Sequence, residues 1–492
     1  MKILFIYMDT NSSEPVRIAP GVAFLSGYLK KHNIETDLCY FKDKDDEEYC
    51  LESLRERKTD IVAVSSVTSS FIHAKILLEE VKKEFPEIFI ICGGAHVSIF
   101  PEEISRTRSI DAICLGYGEE ALLELTRSIE TKKINHGIKN IYFNVNGTII
   151  KNELRAFPDE LDKYFPEDRG IFYKEFKRKG IDMSSHQLEC EDFIFCRGCP
   201  FNCSYCSNHK LRMLGKGRYI NYPEVDTCIN DIKQVMGFRD INGVNLHDDV
   251  LTLNKAWFRK FCKQYSEHIG LPFMCNLRIG TFTEEDVKIL KDANCRRVII
   301  GIESGSEYMR NNILRKEIGT NRDIIDAFKL CHKYGITTFS QNMVGIPEEN
   351  FERFYDTVKI NAQILPNAAA INVYYPYPGT ALYNKAKKEG LIVTNYQPYN
   401  FLERKESILD IQGFKKKKIE FYARYFKQMI YLEVLFSNNA LGRNLRKYLY
   451  RHYFLQVFIF SLLEMITRSL KLKKLISIIF IRNQVFSIAD NN

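Results

Sequence analysis

The feature that most constrains this chain is an alternation of short, unbroken apolar runs with amphipathic stretches. Up to about residue 130 the runs are KILFIYM (2–8), ETDLCYF (35–41), DIVAVSS (60–66), FIICGGA (89–95) and DAICLG (111–116). They are rich in β-branched residues and continuous, as strands buried on both faces tend to be. Between them, GVAFLSGYLKKHN and SFIHAKILLEEVKKEF carry helical spacing. Strand and helix in turn predict an α/β fold built on a doubly wound parallel sheet. Ligands of such sheets meet the carboxyl ends of the strands. Here those ends are SSVTSS (65–70), GGAHVS (93–98) and GYGEE (116–120), all small or polar and suited to a large polar ligand.

The alternation resumes between about 190 and 392. Strands are expected at EDFIFC, GVNLHDD (243–249), FMCNLRI (273–279), RRVIIGIES (296–304), TTFSQNMVGIP (337–347) and AAAINVYYPYP (368–378). Six βα units predict an open barrel. At 492 residues the chain is too long for one core. The expected division is a Rossmann-like domain over 1–135, a polar surface linker over 136–189, a partial (β/α)6 barrel over 190–392, and a helical region over 393–492.

Charge separates the last region from the rest. Residues 415–492 hold 15 Lys or Arg against 4 Asp or Glu, although the whole chain carries only +8. The body is therefore near neutral and the tail basic. Its most apolar stretch, RHYFLQVFIFSLLEMI (451–466), is too short to span a bilayer. A helix packed on the body, or lying on an anionic lipid surface, fits it better. The opening MKILFIYMDTN has too short an apolar core for a secretory signal, so the expected setting is the reducing cytosol, with possible peripheral membrane contact. There the 14 cysteines are thiols or metal ligands rather than disulfides.

GYGEEA matches a dinucleotide fingerprint, but it follows the fifth strand rather than the first and lacks the acidic residue expected about twenty positions on. A nicotinamide or flavin is therefore not expected. The stronger signal is FCRGCPFNCSYCSNH (195–209), with Cys199, Cys203 and Cys206 spaced C-x3-C-x2-C. Zinc prefers four ligands, and His209 would complete a Cys3His set. An iron–sulfur cluster held by three thiolates would keep one iron open, as reactive metal sites do.

CPFNCSYC, with an aromatic before the last cysteine, resembles the signature of the radical S-adenosylmethionine (radical SAM) enzymes. In that family the three cysteines bind a 4Fe-4S cluster, and the amino and carboxylate groups of S-adenosylmethionine chelate the fourth iron. One electron then yields a 5′-deoxyadenosyl radical that abstracts hydrogen from a substrate. The resemblance implies that Cys199, Cys203 and Cys206 are the cluster ligands and that Tyr205 sits beside them. VNLHDDVLTLNK is similar to the second barrel strand, which implies Asp248 and Asp249 near the methionyl amino group. GIESGSEYM and NMVGIPEEN resemble the fourth and fifth strand ends, which implies Glu303 and Ser304 near the ribose and amino acid, and Gly345 and Pro347 near adenine. Cys190 and Cys196 lie outside the triad and are expected to be unliganded. His209 and His247 are expected to be hydrogen-bonded polar residues. Arg278 is expected to form either a structural ion pair or a contact to a carboxylate of substrate or cosubstrate.

PGVAFLSGYLKKHNIETDL, GGAHVSIFPEE and ICLGYGEEALLEL are similar to the first domain of the cobalamin-binding branch of that family. The resemblance implies cobalamin near Ser65, Ser66, Thr68, Gly93, Gly94, Gly116 and Gly118. D-x-H-x-x-G, which supplies a lower cobalt ligand elsewhere, is absent, and His96 has the wrong surroundings to replace it. The resemblance further implies methyl transfer to an unactivated carbon or phosphorus of a small-molecule or lipid-like substrate. Oxidative cyclisation or rearrangement is the alternative. An external one-electron donor such as flavodoxin or ferredoxin is expected. Nucleic acid is disfavoured: the transfer-RNA-modifying methylthiotransferase branch of the family carries further first-domain cysteines at cluster spacing and ends in a small β-barrel, whereas here Cys39, Cys50, Cys92 and Cys114 are scattered and a helical end is expected. A non-enzymatic iron–sulfur carrier or sensor is disfavoured by the full set of S-adenosylmethionine motifs.

Overall fold

The computed structural model describes residues 1–10, 16, 18–181, 190–393, 404–436, 455 and 459. Strands β1 (Lys2–Met8), β2 (Glu35–Phe41), β3 (Ile61–Ser65), β4 (Phe89–Gly93) and β5 (Ala112–Cys114) form a parallel sheet in the order 2-1-3-4-5. Apolar layers cover both faces. Phe5, Leu29 and Phe172 belong to one, Ile6, Leu78 and Val97 to the other. This double burial explains why the strands read as continuous apolar runs.

The stretch expected to be a linker does more than pass over the surface. Strands β6 (Ile141–Val145) and β7 (Thr148–Lys151) form a hairpin that adds antiparallel to β5, so the sheet has seven strands and is mixed. Asn146 and Gly147 make its turn with φ of 51° and 86°, the left-handed pair that a two-residue hairpin requires. The helix Gly170–Arg178 then packs back on the sheet, where Arg178 pairs with Asp37 at 2.8 Å.

Strands β8 (Cys190–Phe193), β9 (Gly243–Leu246), β10 (Phe273–Leu277), β11 (Cys295–Glu303), β12 (Thr337–Val344) and β13 (Ala368–Val373) run parallel, in chain order, with β8 and β13 left as edges. Return helices begin where Thr283, Thr320, Asn350 and Thr380 accept backbone N–H groups of the first turn, which stops each strand-to-helix loop sharply. The two sheets share apolar contacts. Phe24, on the helix Pro20–Lys31, joins the barrel core and meets the Phe165 ring edge-on at 4.9 Å.

Near β13 the helices Lys416–Arg424 and Phe426–Phe436 cover the barrel. Phe414, Tyr422 and Phe426 pack on Phe354 of the barrel helix Phe351–Ile364. Each such buried ring contributes about 1.5–3 kcal/mol. Leu455 and Ile459 touch the same cluster. The rest of the apolar run 451–466, and the basic tail beyond it, lie outside the described residues. No helix among the described residues is long and apolar enough to cross a membrane.

Candidate functional site

The loop after β8 carries the clustered cysteines, and burial sorts them. Cys199 and Cys206 are partly exposed and Cys203 is buried. Cys196 belongs to the barrel core with Phe193 and Cys228. Cys190 is exposed at the amino end of β8, away from the loop. The loop is tightly seated. Gly198 has φ of 96°, and a Cβ there would lie 2.5 Å from the Tyr219 carbonyl oxygen, so only glycine serves.

Two N–H groups face the sulfurs. Arg278 Nη1 donates to Cys203 Sγ at 3.5 Å, and the Asn208 backbone N–H donates to Cys206 Sγ at 3.5 Å. The Asn208 bond opposes the burial that pushes the Cys206 thiol up to about 11. Arg278 also stacks 3.7 Å above the Phe201 ring and donates to the Glu317 carbonyl at 3.0 Å. It therefore lies against the cysteine loop. His247 Nε2 lies 3.0 Å from Asp192 Oδ1, as a hydrogen-bonded polar residue would.

The remaining residues stand at strand carboxyl ends, where barrels build sites. After β9, Asp248 is wholly buried and Asp249 exposed. Asp248 Oδ1 accepts the Phe195 and Cys196 backbone N–H groups at 3.1 and 2.5 Å, and burial pushes its carboxyl up to about 6. It braces the loop from beneath. Asp249 is held by the Asn208 amide at 3.0 Å and is the carboxylate that faces outward.

At the end of β11, Glu303 adopts φ of 65° at a break in register with β12. For a non-glycine residue that conformation marks a site with a constraint. Glu303 Oε1 accepts from Lys316 Nζ at 2.7 Å and from the Tyr205 hydroxyl at 3.2 Å. Ser304 is fully buried, and its carbonyl accepts from the buried Arg310 at 2.8 Å. After β12, Gly345 and Pro347 are buried. The N–H groups of Gly345 and Ile346 donate to Glu349 Oε2 at 2.6 and 3.3 Å, and burial pushes that carboxyl up to about 8. A Cβ on Gly345 would lie 2.9 Å from Ile419, so the C-terminal helix backs this loop.

The other sheet has its own site. Ser65, Gly93, Gly94, Gly116 and Gly118 line a cleft of about 290 Å³ at the carboxyl ends of β3, β4 and β5. Phe5, Ala63 and Ile91 floor it, and Ile194 and Arg197 from the cysteine loop wall it. Gly94 has φ of 95° and presses on Ser66, whose carbonyl oxygen a Cβ would meet at 2.6 Å. Ser66 and Thr68 stand behind the rim rather than on it. Thr68 Oγ1 meets His96 Nδ1 at 3.1 Å. Burial holds His96 down at about 4, so it is neutral, and its ring lies 4.3 Å from that of Phe71, outside the cleft lining.

Family models match two parts of the chain. One for the radical SAM superfamily matches residues 193–360, and one for the B12 binding domain matches 11–126. The chain carries both a radical SAM domain and a B12-binding domain. It is 25% identical over 391 residues to an uncharacterised methyltransferase of Pyrococcus horikoshii, covering 77% of this chain and 82% of the relative. It is 25% identical over 468 residues to the anaerobic magnesium-protoporphyrin IX monomethyl ester cyclase of Rubrivivax gelatinosus, covering 91% and 81%. In fold it is similar to the cobalamin-dependent S-adenosylmethionine radical enzyme OxsB, with a TM-score of 0.66 over 98% of this chain and 75% of that one, at 14% identity.

A 4Fe-4S cluster, S-adenosylmethionine and cobalamin are the cofactors of this radical SAM enzyme. The donor sets fit them. Among the described residues no three His, Cys, Asp or Glu side chains are arranged to hold a single metal ion. A cubane asks each thiolate for a different iron, which a loop with separated thiols can satisfy. The glycine-lined cleft offers a flat face with nothing within 4 Å of a Cβ on Gly93.

Sequence reasoning missed Lys316, Glu349, Asn208, Tyr219 and Arg197. Lys316 and Glu349 carry no local signal, since a buried partner is known only once its strand end is built. Arg197 was visible, two residues before Cys199, but its direction was not.

Proposed function

We propose that this enzyme transfers a methyl group to an unactivated carbon or phosphorus of a small-molecule or lipid-like substrate. The observation that carries the reading is that the cysteine loop itself walls the first-sheet cleft, through Ile194 and Arg197. The cysteine loop thus adjoins the cleft through these two residues. The cluster and S-adenosylmethionine, when bound, supply a 5′-deoxyadenosyl radical, and cobalamin supplies a methyl donor. In this reading Cys199, Cys203 and Cys206 hold the cluster, with Arg278 and Asn208 donating to two of the sulfurs.

Asp249 meets the methionyl ammonium from the open side. Glu303, oriented by Lys316 and Tyr205, accepts from polar groups of the cosubstrate. The Gly345–Pro347 loop, held by Glu349, gives adenine a rigid edge. Ser65, Gly93, Gly94, Gly116 and Gly118 receive cobalamin, with Ser66 and Thr68 supporting the rim. An external one-electron donor such as flavodoxin or ferredoxin supplies the electron.

Product analysis tests the reading. Anaerobically reduced, fully loaded enzyme with S-adenosylmethionine should form S-adenosylhomocysteine as well as 5′-deoxyadenosine. The cyclase relative, matched over 91% of this chain, favours a second reading of oxidative cyclisation. Formation of 5′-deoxyadenosine alone would support that one and remove methyl transfer.

A further inference from the structure

Arg197 does not behave as a loop cation usually does. Its side chain leaves the cysteine loop, crosses to the first sheet and is enclosed there. It pairs with Glu119 at 2.8 Å and lies over the rings of Phe24, Tyr117 and Tyr164 at 4.7, 4.9 and 5.4 Å. Glu119 opens the helix that follows β5, directly after Gly118 of the cleft rim. Arg197, Glu119, Phe24 and Tyr117 all line the cleft. An arginine caged by three aromatic faces and one carboxylate has few alternative positions, and the cation–π contacts strengthen as water is excluded.

Its backbone is equally constrained. The N–H groups of Arg197 and Asn221 each donate to the other's carbonyl, at 2.9 and 3.0 Å, and Gly198 lies against Tyr219. Cys199 is the next residue. A second path leaves the same cleft wall. Tyr117 packs edge-on against Phe157 at 5.8 Å, and Phe157 packs on Tyr219 at 5.0 Å. The Tyr219 hydroxyl donates to Asn208 Oδ1 at 2.7 Å, and the Asn208 backbone N–H donates to Cys206 Sγ. Both ends of the cysteine triad are thereby tied to residues that a cleft ligand would touch.

We propose that Arg197 is a positioning residue that couples occupancy of the first-sheet cleft to the geometry of the cysteine loop. The inference rests on the reading of the cleft as the cobalamin site and of the triad as the cluster site. A ligand in the cleft packs against Arg197 and Tyr117 and narrows their positions. The ordered loop presents Cys199 and Cys206 ready for iron. Coupling of this kind is reciprocal, so a bound cluster must tighten the cleft by the same factor.

The test is the dissociation constant of hydroxocobalamin, by ultrafiltration and visible absorbance, on the full chain with and without its reconstituted cluster. Wild-type protein should bind at least about fivefold more tightly with the cluster present, the lower end of ordinary coupling. In Arg197→Met the ratio should fall below about twofold while iron content and absolute loading stay measurable. Glu119→Gln, on the opposite side of the contact, should show the same collapse and covers the case in which Arg197→Met does not fold. A wild-type ratio near one, or an undiminished ratio in a folded variant, would overturn the coupling. Failure of wild-type protein to bind hydroxocobalamin in either state would instead overturn the underlying reading of the cleft.

Discussion

Where β3, β4 and β5 end, the chain offers glycines and hydroxyls above an apolar floor of Phe5, Ala63 and Ile91. Where β8 to β12 end, it offers thiols and carboxylates, most of them already held by an N–H group, an ammonium or a hydroxyl. The first arrangement suits a large ligand recognised by shape, since close backbone approach needs no Cβ. The second suits small, highly charged groups, because a charge taken from water must be paired or neutralised. One fold class thus supports two recognition strategies at the same end of its strands, and the cysteine loop joins them.

The largest effect should separate the two sites outright. Cys203→Ala should remove iron from the reconstituted protein and abolish 5′-deoxyadenosine formation, while hydroxocobalamin still binds, more weakly. Iron analysis and visible spectra decide this, and simultaneous complete loss of cobalamin would erase the distinction. Next, Lys316→Met leaves the largely buried Glu303 carboxylate without its ammonium. Breaking such a pair should cost about 3–5 kcal/mol in denaturant unfolding. It should also weaken S-adenosylmethionine binding, with iron content kept.

Glu349 sharpens the barrel side through pH. Its carboxyl titrates near 8 in the folded chain, raised by burial, with Arg353 the nearby cation that opposes the shift. The folded state therefore holds a proton that the unfolded chain releases near 4.5. The stabilisation is complete below 4.5 and is lost as pH rises through about 8, at up to about 1.4 kcal/mol per unit. Glu349→Gln keeps an acceptor for the Gly345 and Ile346 N–H groups and should flatten that part of the stability profile relative to wild type. Parallel profiles would show that the group does not titrate there.

On the other side, Gly94→Ala places a Cβ 2.6 Å from the Ser66 carbonyl oxygen at a φ of 95°. A loss of about 1–3 kcal/mol is expected, together with loss of hydroxocobalamin retention but an unchanged cluster spectrum. The smallest effect belongs to Cys196→Ala, which should cost about 1 kcal/mol of packing and leave iron per chain as it was. A fall in iron would instead make Cys196 a ligand.

Much of this was legible in the chain itself. The five parallel strands of the first sheet and the six of the barrel announce themselves as apolar runs, because burial on both faces leaves no polar side. The triad was legible because its spacing is local. The hairpin at β6 and β7 was overlooked among polar neighbours, although Asn146-Gly147 between Phe143 and Ile149 is a strong turn signal. Asp248 and Asp249 could not be told apart, since adjacent residues at a strand end face opposite ways and only the neighbouring loop shows which face is buried.

By itself, then, the sequence determined the alternation of elements, the set of three thiols and the small residues at the strand ends, all of which depend on neighbours within a few positions. Tertiary structure alone decided that 141–151 extends the first sheet, that Lys316 and Tyr205 orient Glu303, and that Arg197 turns away from its own loop into the other sheet's cleft. Those outcomes depend on which distant surfaces meet and exclude water. A buried charge takes whichever partner the packing delivers, and spacing along the chain does not encode that partner.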